Sequence, residues 1–202
     1  MTARRIFLLS PAHCGGKRAA ILLNEHATFP LAQRLRSGGL TLGEAFSFLS
    51  GLYFRGKITY AGRFARPPAG LSGVQVITTD RGLVPADATV GVSDLRAFGT
   101  VDIAANHPPY RLPLERDLSR LEQVPNADVV LLGSVASNKY VDVLLEVFGD
   151  RLLFPSAFVG RGDMSRGGLL LRAADAGEEL AYEPVAGAIR RGRRPPKLAP
   201  RR

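Results

Sequence analysis

The chain has 202 residues, 46% of them hydrophobic, with one cysteine and a formal net charge of +9. That is enough apolar material for one full core, and Cys14 alone excludes a disulfide framework. No apolar run approaches the ~18 residues of a membrane span, and the stretch Ile6 to Leu9 behind Met1-Thr-Ala-Arg-Arg is too short for a signal peptide, so a cytoplasmic protein with no membrane partner is expected.

In chain order, Arg4 to Leu9 reads as a first strand that stops at Ser10 and passes into the glycine- and base-rich loop Ser10-Pro-Ala-His-Cys-Gly-Gly-Lys-Arg18. A helix opens at Lys17 with Ala19, Ala20, Leu22 and Leu23, and a second starts after Pro30 with Leu31 and Leu35 on one face. The longest begins at Thr41, whose hydroxyl can cap while Glu44 returns the bond. Phe46, Leu49, Leu52, Tyr53 and Tyr60 face inward along it, with Gly51 and Gly56 as candidate interruptions. Val74 to Thr79 is a second strand, leading into Asp80-Arg-Gly82.

Ser93 is expected to cap a short helix through Leu95 and Phe98. Asn106-His-Pro-Pro-Tyr110 reads as a loop, because a proline pair resists both helix and central strand, and Pro113 to Leu121 as a helix. Asp128 to Gly133 has the continuous apolar character of a strand buried on both faces. Ser137 then caps a helix carrying Val141, Leu144, Leu145 and Phe148, which Gly149 ends. Leu152 to Phe154 is a fourth strand, and Asp163 starts a last helix with Leu169 to Leu171, Ala173 and Ala174 as its buried stripe.

Crossovers of this length require parallel neighbours. The expected fold is therefore a three-layer α/β/α sandwich on a four-stranded parallel sheet ordered 2-1-3-4, forming one domain over residues 1–189. Residues 190–202 hold seven of the 27 basic residues and no acid, which leaves the body with 20 basic against 18 acidic residues. Such an end reads most simply as a disordered, solvated tail, and otherwise as a non-specific phosphate-binding arm.

Loops leaving the carboxyl ends of parallel strands line one crevice, where such folds place their ligand. In the first, Gly15 and Gly16 let backbone N–H groups approach an anion while Lys17 and Arg18 add charge at a helix start; the alternative is a structural turn. It is not a Walker A loop, since Pro11 replaces its first glycine and Arg18 its magnesium-holding hydroxyl. In Phe158-Val-Gly-Arg-Gly-Asp-Met-Ser-Arg-Gly-Gly168, residues Arg161, Asp163, Ser165 and Arg166 can build an anion nest, or merely an exposed connector. Ser134, Lys139 and Ser156 join the phosphate-binding or nucleic-acid-binding set from the neighbouring loops, and Tyr140 reads equally well as packing.

For chemistry, Asp80 and Asp87 are the carboxylates best placed for water activation or sugar contact, and Asp80 is the preferred acid or base. Either one taken singly is also a common turn residue. Cys14 and His13 form a nucleophile and base pair in sequence, yet adjacent residues in an extended loop point apart, leaving His26 and His107 as other bases. One cysteine and three scattered histidines lack metal-ligand spacing, so no metal and no cofactor are expected.

The Cys-Gly-Gly-Lys-Arg18 loop, Leu52-Tyr-Phe-Arg-Gly-Lys57, Ile77-Thr-Thr-Asp-Arg-Gly-Leu-Val-Pro-Ala-Asp87 and the Leu131-Leu-Gly-Ser, Lys-Tyr140 and Phe154-Pro stretches resemble a little-characterised bacterial domain family. Its relatives occur around nucleobase modification, and it is similar to the uracil-DNA glycosylase-like superfamily. The resemblance implies an α/β/α fold and a pocket for a phosphate-bearing base or nucleoside. Uracil-DNA glycosylases carry a Gly-Gln-Asp-Pro-Tyr type loop and a His-Pro-Ser loop. Here Ser10-Pro-Ala-His-Cys-Gly-Gly and Phe154-Pro-Ser156 stand in their places, so only Pro155 and Ser156 carry over and the catalytic histidine has no match.

The expectation is a protein that binds a nucleotide or a nucleic-acid base and acts on an N-glycosidic bond. Its rivals are a non-catalytic nucleic-acid-binding module and an enzyme for a small phosphorylated metabolite. No feature of the sequence sets an oligomeric state.

Overall fold

A computed structural model describes residues 4–136, 138–196 and 198. The first strand, β1 (Arg4–Leu9), is followed by α1 (Lys17–Leu22), α2 (Pro30–Ser37), β2 (Leu40–Thr41), α3 (Leu42–Ser50) and α4 (Leu52–Phe64). Next come β3 (Val74–Ile77), β4 (Leu83–Pro85), β5 (Thr89–Val90), α5 (Val92–Phe98), α6 (Pro108–Glu122) and β6 (Ala127–Leu132). The remaining elements are α7 (Asn138–Phe148), β7 (Leu152–Pro155), α8 (Asp163–Ala176) and β8 (Tyr182–Pro184).

The protein is α/β, with a mixed six-stranded sheet in the order β4-β3-β1-β6-β7-β8 and a separate β2-β5 pair. β1 lies at its centre, parallel to both β3 and β6, and Ile6 to Leu9 are buried as that position demands. β6 and β7 continue the parallel set, while β4 and β8 join antiparallel at the two edges.

The expected four-stranded, all-parallel sheet is thus corrected to six strands of mixed direction. The four expected strands form its parallel centre in the 2-1-3-4 order, and β3 ends earlier than expected, at Ile77. The edge strands are three residues each, too short to show alternation, and both end on a proline, which suits an edge because it cannot donate to a ladder.

Thr41 caps α3 as expected: its Oγ1 accepts from the Glu44 N–H at 3.2 Å, and Glu44 accepts from the Thr41 N–H at 3.0 Å. The long helix is two helices, because Gly51 at φ 63° separates α3 from α4. Ser93 does not cap α5. Asp94 does the work from inside the helix, accepting the Gly91 N–H at 2.7 Å.

The Asn106–Tyr110 loop is also corrected, since α6 begins at Pro108. The proline pair occupies the first two helical positions, where no backbone donor is needed, and Pro113 falls inside. The expected cap at Ser137 lies outside the described residues.

α4 packs along α8 at very short range. A Cβ on Gly56 would stand 2.6 Å from the Gly167 carbonyl oxygen, and one on Gly167 would stand 2.7 Å from that of Leu52. This closeness brings the inner faces of both helices to the carboxyl end of β1.

The described part of the basic end, residues 190–196 and 198, lies over the loops that follow β6 and β7. Arg191 donates to the Ala136 carbonyl at 3.5 Å, and Arg161 donates to that of Pro196 at 3.4 Å. Gly160, at φ 71°, sits where a Cβ would come within 2.2 Å of the Arg193 carbonyl oxygen.

Candidate functional site

Ser10 is the first residue beyond β1, and its N–H donates to the Leu132 carbonyl at 3.1 Å. Beneath it, α4 delivers Lys57, 1% exposed, whose Nζ lies 2.6 Å from the Ser10 carbonyl oxygen and 2.9 Å from its hydroxyl. The ammonium also sits 4.7 Å from the ring centres of Tyr53 and Phe54. No salt bridge reaches it among the described residues. Burial lowers its pKa to about 7, the charge of Asp163 pulling the other way. In the neutral form such an amine can donate to the Ser10 carbonyl and accept from the Ser10 hydroxyl, the relation of a base to its alcohol.

Tyr140, in the first turn of α7, accepts the Ser134 N–H at 2.7 Å. Gly133 makes the meeting possible: a Cβ there would stand 2.9 Å from the Tyr140 hydroxyl and 3.2 Å from that of Ser10. Burial raises the Tyr140 pKa, opposed by its hydrogen bonds with Ser134 and Ser10.

Arg166, one turn into α8, is 6% exposed and donates from Nε to the Phe158 carbonyl at 3.3 Å. Its guanidinium stands 3.5 Å from the largely exposed carboxylate of Asp163. Burial pushes the Tyr53 phenol far up, with Arg166 drawing it partly back, although no hydrogen bond closes on the Tyr53 hydroxyl. The Tyr110 hydroxyl of α6 is likewise buried and unpartnered among the described residues. Four helices therefore place two buried basic side chains and three phenols around Ser10 at the end of β1. The assembly is rich in donors and short of negative charge.

Of the residues expected from sequence, Ser134, Asp163 and Arg166 belong to this cluster. Lys139 is an exposed neighbour on α7. The first glycine loop turns elsewhere: Lys17 is exposed, Arg18 donates to the Phe48 carbonyl at 3.0 Å, and the His13 ring lies over Gly15 and Gly16. Cys14 is held as a thiol, pushed up to about 12 by burial and then by Asp80, and it donates to the Ala12 carbonyl at 3.7 Å.

Asp80 is gripped by Arg81 at 3.0 and 3.1 Å, and the same guanidinium reaches Asp94 at 2.8 Å. Asp87 is exposed. Arg161 is held by Ala157 and Ser165 of its own segment, and Ser156 by the Ala181 carbonyl. The cations that converge are therefore Lys57 and Arg166 rather than Lys17 and Arg161.

Ser10, Tyr53, Lys57 and Tyr110 were not assigned to a site from sequence, and Tyr140 was left open between site and packing. The readable sign was a lysine one turn after Tyr53, on the stripe that also carries Tyr60, where a charge does not belong unless something holds it. Among the described residues, no group of three or more His, Cys, Asp or Glu could hold a metal ion, and no helix is long and apolar enough to cross a membrane. Comparison with protein-family models, curated proteins and solved structures finds no match to this chain.

Proposed function

We propose that the carboxyl edge of the parallel strands binds a nucleotide, or a nucleic-acid base through its attached phosphate, in a three-layer arrangement like that of the uracil-DNA glycosylases. The helix pairs α4 with α8 and α6 with α7 support the three layers. The strand order takes the chain from β1 back to β3 and then forward to β6, and crossovers that keep the usual right hand would put their helices on opposite faces.

The observation that carries the function is Lys57. A wholly buried ammonium without a carboxylate loses several kcal/mol of solvation, and an anion above Ser10, shared with Arg166, would restore much of it. Any N-glycosidic step here would draw its proton transfer from Lys57 and Ser10, because the Asp80 carboxylate is already occupied by Arg81.

The test is calorimetric titration of the full chain with nucleoside 5′-monophosphates at pH 6 and pH 8. Binding at pH 8 is expected to take up a proton, since the phosphate raises the pKa of an amine that stands near 7. Lys57→Met is expected to abolish the uptake and weaken binding about tenfold or more. Absence of binding by the unaltered chain, or equal binding by the variant, would remove this reading. Chromatography of uracil-containing oligonucleotides after incubation tests turnover separately, and no released base would leave binding without hydrolysis.

A further inference from the structure

The basic end of the chain lies against two of the loops that leave the carboxyl edge of the sheet. Arg191 touches the loop after β6, and Gly160 and Arg161 of the loop after β7 touch Arg193 and Pro196. Both loops leave the same carboxyl edge, so the segment 190–196 bridges that edge beside the cluster.

Arg191, Arg193 and Arg194 are exposed on it, and none has a salt bridge among the described residues. Arg190 turns inward, with its Nη1 buried and unpartnered. On one side of the segment is a cleft of about 380 Å³ at the start of α7, lined by Ala136, Asn138, Arg190 and Arg191. A second cleft, of about 390 Å³, is lined by the apolar Leu52, Met164, Leu171 and Pro195 together with Arg161 and Arg194.

We propose that this segment and its two clefts form a track for a single strand of nucleic acid, so that the ligand of the crevice is one nucleotide of a polymer. The proposal rests on the crevice reading above and names its substrate class. A lone mononucleotide would leave three exposed guanidinium groups without an anion, whereas a strand presents a phosphate at every step for bidentate arginine contacts. The apolar lining of the second cleft, flanked by arginine, suits an unstacked base. A single strand is favoured over a duplex because a base has to leave its stack to reach a site walled by buried side chains.

The experiment compares the full chain with the triple variant Arg191→Ala, Arg193→Ala, Arg194→Ala. Fluorescence anisotropy of a labelled twelve-nucleotide single strand is followed against salt, and mononucleotide titration is run beside it. Three lost phosphate contacts should lower the salt slope of the strand by about 2, at about 0.7 per contact, and weaken binding about tenfold or more at low salt while mononucleotide affinity stays unchanged.

A strand bound no better than a mononucleotide by the unaltered chain, an unchanged salt slope in the variant, or an acidic polypeptide that competes as well as the strand would overturn the proposal. A slope that depends on the arginines, without mononucleotide binding by the unaltered chain, would fail the crevice reading and leave the track. Thermal melting of the triple variant, expected to match the unaltered chain because all three side chains are exposed, keeps folding out of the comparison.

Discussion

Lys17 and Lys57 are the first two lysines of the chain, and their surroundings are opposite. Lys17 stands in solvent at the start of a six-residue helix, beside two glycines that give the loop the look of an anion cradle. Lys57 is buried near the middle of a thirteen-residue helix, against two aromatic rings and the end of β1. A hydrated charge gains little from a neighbour. A buried one must be held by hydrogen bonds, meet an anion, or release its proton. The difference teaches that the number of bases in a loop is a poorer guide to a site than the solvation each base has lost.

The glycines beside each lysine differ just as sharply in how closely they are packed. Gly56→Ala places a methyl against the Gly167 backbone and should destabilise the fold by about 2 kcal/mol net of the better helix propensity. Gly16→Ala meets only the His13 ring, 3.2 Å away, and should change stability by less than about 0.5 kcal/mol. Urea unfolding of both variants checks this, and equal losses would mean that α4 and α8 do not need their close contact.

Ligand affinity should separate the two lysines as well. Beside the tenfold loss expected for Lys57→Met, Lys17→Met should alter nucleotide binding by no more than about twofold, because a screened surface charge contributes little. A larger effect at Lys17 would return the site to the first glycine loop.

A separate readout is the pH dependence of stability. The unfolded chain keeps the Lys57 proton to its ordinary pKa of 10.5, whereas the folded chain gives it up near 7. Between those values the unfolded state binds more protons, so stability should rise with pH, by at most about 1.4 kcal/mol per unit. Lys57→Met should remove that rise from unfolding free energies measured at pH 7, 8 and 9, and Lys17→Met should keep it. Identical slopes in all three proteins would mean that Lys57 stays charged in the folded state.

What was legible in the sequence was whatever depends on near neighbours or on burial of a whole run. The Thr41 and Glu44 box is one turn long and formed as read. Asp128 to Leu132 could be read as a doubly buried strand because almost no polar residue interrupts it. Ser93 misled because Gly91, without a side chain, lets Asp94 take the capping role. Pro108 and Pro109 misled because they resist the interior of a helix but not its first turn. The site was harder still, since Ser10, Lys57, Tyr140 and Arg166 come from four separate segments and meet only when α4 and α8 close upon each other. Sequence periodicity marks apolar faces and assigns charges to the outside, so a lysine on the inner face of α4 passes unremarked.

The central place of β1 also sets a clock. β1 is made first among the strands of the sheet, yet Leu9 pairs with Leu132, more than a hundred residues later. At the pace of protein synthesis that separation amounts to roughly 6 to 25 s. Through that interval Ile6-Phe-Leu-Leu9 is an apolar strand lacking a neighbour on one side, first in line to stick to other nascent chains or to be sheltered by a chaperone.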